Sequence, residues 1–192
     1  MTDLTVRRLL IDLDAPIARH WNGGDAFRTA WFNALSMSFP VGEQFFIDAV
    51  KLGLKALPPD QRDAMAAEVQ GFIGQEATHR RLHALFNDHL DKQGHHNRWA
   101  VRAVRRLKRL EGLDPRHWVA ATAATEHITA IFAEWTLRHP ECLAGAEPRL
   151  QTLTLDGSGG RTLLLGDAII GVEAVSIDTC PWSQGDLAVD PN

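Results

Sequence analysis

Between Gln61 and Lys92 the apolar positions recur every third or fourth residue, the step that keeps side chains on one side of an α-helix. Followed along the chain, that step picks out Val69, Phe72, Glu76, His79, His83, Phe86 and Leu90. The stripe is apolar at both ends and polar in the middle. The same reading predicts further helices. Asp25, a good N-cap, opens one that reaches Met37, where Phe39-Pro40 is expected to break it. A second runs from Val41 to Ala56 and stops at Pro58-Pro59, and Asp60 is expected to cap the long helix, which Gln93-Gly94 closes. A basic helix follows from about Asn97 to Leu110, ended by Gly112. The last begins at the first-turn proline Pro115 and ends at Arg138, ahead of Pro140.

The pattern divides the chain into three parts. Residues 1–24 read as an irregular segment punctuated by Pro16 and Asn22-Gly23-Gly24, and residues 25–153 as an all-α domain. Residues 154–192 differ in character. Gly157 to Gly160 reads as flexible, Leu163 to Ile177 as strand-like, and the last dozen residues as disordered.

With 192 residues the chain is long enough to bury a core of its own. A net charge of -4 gives no global reason to expect nucleic acid as a partner. No apolar run approaches the roughly 20 residues of a membrane span, and the N-terminus lacks the apolar stretch of a signal peptide. Cys142 and Cys180 form no disulfide framework, so the cytoplasm is the expected compartment. The cluster Arg98, Arg102, Arg105, Arg106, Lys108 and Arg109 suits phosphates or an anionic membrane surface. Against a negative chain, it is read as the solvated face of an amphipathic helix.

The polar middle of the long helix carries the candidate chemistry. Burying an unpaired carboxylate is costly, so Glu76 needs a charge, a hydrogen-bond network or a metal. Glu76 and His79 have the Glu-x-x-His spacing with which helical bundles grip a metal, and His83 follows one turn later. Such a pair alone is commonly just solvated. Two further carboxylates argue otherwise, since Glu43 lies on the stripe Phe39, Glu43, Phe46, Val50, Leu57 and Glu126 on Val119, Thr122, Glu126, Thr129, Ala133. Gly42 is expected to admit another backbone closely. For Glu43 the competing reading is an acid that favours the positive end of its helix. Only one of Glu126 and His127 can point fully inward. Glu126 is favoured, and His127 is left as either a ligand or a supporting core histidine.

FPVGEQFF (39–46), FIGQEATHRRLH (72–83) and TEHITA (125–130) occur in that order, with RHWNGGD (19–25) ahead of them. Over roughly residues 5 to 153 the chain thereby resembles the bacterial proteins called predicted metal-dependent hydrolases. The resemblance implies a ferritin-like bundle with Glu43, Glu76, His79, His83, Glu126 and His127 as candidates for an interior site. Such a ligand set suits a divalent metal, iron or manganese ahead of zinc. A small-molecule substrate is implied. Two chemistries compete, metal-assisted hydrolysis and di-iron oxidation. Proteins of this kind usually add a helix with a Trp, paired acids and a His, and here the glycine-rich tail stands in its place. Codons for 158–162 read one nucleotide later can spell an Ala-Glu-Glu-His-type run, so a frameshifted helix is one expectation. An inactive fragment that self-associates is another.

Overall fold

Asp25 opens the first helix as its residue type predicts, with its carboxylate accepting the Arg28 N–H at 2.9 Å. The helix does not stop at Pro40. In the computed structural model, which describes residues 11–157, α1 runs unbroken over Ala26–Ala56 with Pro40 inside it. The expected break is therefore corrected, for a physical reason. A proline inside a helix leaves the carbonyl four residues earlier without its N–H partner. Here that carbonyl belongs to Ser36, and the Asn87 side-chain amide donates to it at 3.1 Å. The next carbonyl, of Met37, accepts from the Asn97 amide at 2.7 Å.

The helix α2 (Pro59–Lys92) begins two residues before the sequence reading placed it. Pro58 is its N-cap residue and Asp60 sits in the first turn, so Asp60 is an acid near the positive helix end rather than the cap. Arg62 of α2 reaches back to the carbonyls of Lys55 and Leu57, satisfying the end of α1. Ser36 meets His83 and Asn87, and Gln44 meets Arg80, so α1 and α2 lie antiparallel. The short α3 (Trp99–Leu107) continues into a 3-10 turn at Lys108–Leu110. The helix α4 (Pro115–Arg138) has the predicted bounds and packs against α1. Their crossing is at Gly53, where an added Cβ would stand 2.6 Å from Val119 Cγ2. The close approach expected at Gly42 is thus found three turns away. At Gly42 an added Cβ would meet only Phe46, at 3.9 Å.

A fifth helix, α5 (Pro148–Gly157), runs past residue 153, where the sequence pattern ends the all-α part, and that pattern does not mark it as a separate element. Its Leu150 and Leu153 join a core cluster with Trp21, Phe32, Leu82 and Phe86. The irregular segment before α1 seats Leu13 and Ile17 in the same cluster. It is held there by His89 on the Leu13 carbonyl and by Gln93 and Arg149 on those of Ile17 and Asp12. A second cluster, Phe45, Phe46, Val50, Val69 and Phe72, occupies the other end of the α1–α2 pair. Among the described residues there is no strand, only an isolated bridge between Asn22 and Ala146. Of the stretch read as flexible, Gly157 ends α5 instead, and its other three residues, like the strand-like stretch 163–177, lie outside the described residues.

Candidate metal centre

All seven positions of the α2 stripe are buried, including the three polar ones: Glu76 is 2% exposed, His79 9% and His83 2%. They fall between the two apolar clusters, where α1 contributes Glu43, also 2% exposed. One ligand atom from each of Glu43, Glu76 and His79 lies within 4.8 Å of the others. The His79 Nδ1 stands 3.9 Å from a Glu76 carboxylate oxygen, as a one-turn spacing allows. These side chains line a cavity of about 210 Å³. Its remaining wall comes from α4, where Glu126 sits between Thr125 and Thr129, and from Leu35, Phe39 and Phe46 of α1 and Trp99 of α3.

Three carboxyl groups in one apolar cavity resist ionisation together. Burial, then the charges of Glu76 and Glu126, push the Glu43 carboxyl up to about 9. Burial raises Glu76 as well, with Glu126 adding to it, and burial raises Glu126. One Glu43 oxygen is buried without a hydrogen-bond partner. A divalent cation answers both observations at once. Bound there, it would supply the missing partner and neutralise the carboxylates, and an oxygen-rich set with one imidazole is a fitting donor set.

The other two sequence candidates lie elsewhere. His83 turns to a neighbouring small cavity lined by Trp21, Phe32, Phe39 and Phe86, with its ring 4.4 Å from that of Phe39. Its protonation follows from its partners. Ser36 Oγ donates to Asn87 Oδ1 at 3.0 Å, so the hydroxyl must accept from His83 Nδ1 at 2.9 Å. That places the proton on Nδ1 and leaves Nε2 a bare acceptor, buried and unpartnered. Burial, then His79 nearby, lowers the His83 pKa to about 3, so the ring is neutral. His127 is exposed, whereas Glu126 lines the cavity, in keeping with the inward preference for Glu126. Asn87 was not singled out beforehand, and neither Ser36 nor Trp99 was named as a site residue. Asn87 follows His83 by one turn and was the one legible signal among them.

The cavity and the three motifs on its wall lie within one family match. A model of that family, described as predicted metal-dependent hydrolase, matches residues 5–155. The chain belongs to the predicted metal-dependent hydrolases. The match to this hydrolase family spans α1 to α4, all but the last two residues of α5, and every residue of the cavity. No curated protein and no solved structure matches the chain.

Proposed function

We propose that Glu43, Glu76, His79 and Glu126 hold a divalent metal and that the cavity they line hydrolyses a small molecule. The observation that carries this reading is the convergence of Glu43, Glu76 and His79 ligand atoms in a buried cavity with Glu126 on its wall. A metal bound there supplies Lewis acidity and lowers the pKa of a bound water.

The chain's own groups have separable tasks. Glu43 and Glu76, nearly inaccessible, serve as fixed anionic ligands, and His79 adds an imidazole from the next turn of α2. Glu126 is the less enclosed carboxylate and is suited to carry a proton between the cavity and solvent at its carboxyl oxygens. The Thr125 and Thr129 hydroxyls donate to the carbonyls of Ala121 and Glu126, which leaves their oxygens free to accept from a substrate N–H or O–H. Leu35, Phe39 and Phe46 make that side of the cavity apolar, and a low-dielectric wall strengthens charge interactions beside it.

Elemental analysis of protein purified without chelator or histidine tag tests the ligand assignment. Hydrolysis of a panel of chromogenic esters and phosphoesters, lost with chelator and restored by metal, tests the chemistry. A carboxylate-rich set of three Glu and one His also favours a second reading, a di-iron oxidoreductase in a ferritin-like bundle. Redox-active optical bands without metal-dependent hydrolysis would select it. Metal-free protein of normal helicity would instead identify an inactive relative.

A further inference from the structure

The outward side of α3 has no part in the site or the core. Ala103 is buried and Leu107 half-buried, and they attach the helix to the bundle. Asn97 on the Met37 carbonyl and Trp118 on the Leu110 carbonyl, at 2.7 and 2.8 Å, fix its two ends. The rest of its surface carries Arg98, Arg102, Arg105, Arg106, Lys108 and Arg109, all exposed. None of the six has an ion-pair partner among the described residues, and no acid occurs between Asp91 and Glu111.

The six cations are solvated, as the sequence reading expects, and apolar side chains lie in solvent among them. Val101 is 64% exposed, and Trp99, Val104 and Leu113 are each close to half exposed. Val101, Val104, Arg105 and Lys108 are spaced 3, 4 and 7 apart and so share one stripe. Six free cations suit any polyanion. Valines standing beside them suit a surface that is anionic and has hydrocarbon just beneath, where an interfacial helix buries its apolar groups to a depth of about 5–10 Å.

We propose that α3 docks this protein on an anionic phospholipid surface. The contact is peripheral, since no helix among the described residues is long and apolar enough to cross a membrane. It stands independently of the metal assignment.

Flotation of the full chain with phosphatidylcholine vesicles, with and without phosphatidylglycerol, tests this. The wild type should float with the anionic vesicles only, and less as salt is raised. Arg102→Gln, Arg105→Gln and Arg109→Gln together should weaken binding on the order of 100-fold, from about 1 kcal/mol per charge. Val101→Ser with Val104→Ser should weaken it several-fold at unchanged salt dependence and unchanged melting temperature. Absence of binding to anionic vesicles overturns the proposal. So does binding that ignores the valine pair and is matched on RNA or heparin, which would make α3 a polyanion site.

Discussion

The side-chain amide of Asn87 donates to the backbone carbonyl of Ser36 at 3.1 Å, and it takes the place of the N–H that Pro40 lacks. One α2 residue thereby lets α1 continue through a proline and carry Glu43 into the cavity less than one turn later. Asn87→Ala should destabilise the fold by about 1–3 kcal/mol, the usual cost of a buried polar group left unpaired. In a Pro40→Ala background the helix can satisfy that carbonyl itself, and the cost of Asn87→Ala should fall by about 1 kcal/mol. A denaturant double-mutant cycle measures the difference. Equal costs in both backgrounds would remove the role assigned to Asn87.

Metal content should follow the cavity rather than histidine count. Glu76→Gln and His79→Ala should abolish binding, because each removes one of the three converging ligands. His127→Ala and Arg105→Ala should bind as the wild type does, both side chains being exposed. His83→Gln should also keep its metal while losing stability, since that ring faces the neighbouring cavity. Elemental analysis of the five variants checks all of these, and equal metal in every one sinks the site.

Chelated protein should show a pH dependence with two opposite limbs. Glu43 holds its proton more tightly folded, at about 9, than at the ordinary 4.5, so its contribution is full below 4.5 and is lost as pH rises toward 9. Glu76 and Glu126 shift in the same direction. His83 is the reverse. Its pKa falls from 6.5 to about 3, so its contribution is present above 6.5 and lost as pH falls toward 3. Above pH 6.5, then, melting temperature should decline with rising pH, and Glu43→Gln should flatten that limb. Added metal should restore stability most at the alkaline end, because ligation requires the ionised carboxylates. A metal-induced rise in melting temperature that is the same at pH 6 and pH 8.5 would contradict this origin.

Much of the candidate site was legible because helical spacing is a local property. The α2 stripe reads off a 3-4 step whatever the partners are, and each of its positions is buried. The fate of Pro40 was not legible. The group that rescues the helix, Asn87, is a distant residue in sequence, and only the antiparallel pairing of α1 and α2 brings it close. His83 shared the stripe with Glu76 and His79, but a further turn along α2 carried it past the cavity and against Phe39. The basic helix was foreseen as a helix. Its half-exposed valines were not, because exposure depends on what the bundle leaves uncovered.

Gly53 supplies the last test, since it lets α1 and α4 cross closely enough for Glu126 to face Glu43 and Glu76. A Cβ at position 53 would stand 2.6 Å from the buried Val119, far inside van der Waals contact. Replacing a glycine inside a helix ordinarily gains about 1 kcal/mol. Overpacking at this crossing should cost about 1–3 kcal/mol, so Gly53→Ala should be neutral to destabilising instead of stabilising. Val119→Ala removes the obstructing methyl and should allow Gly53→Ala to recover its helical gain. Urea midpoints of the two single variants and the double decide the matter. A Gly53→Ala protein more stable than wild type would mean the helices separate freely, and the distance from Glu126 to its partners would not be set by this contact.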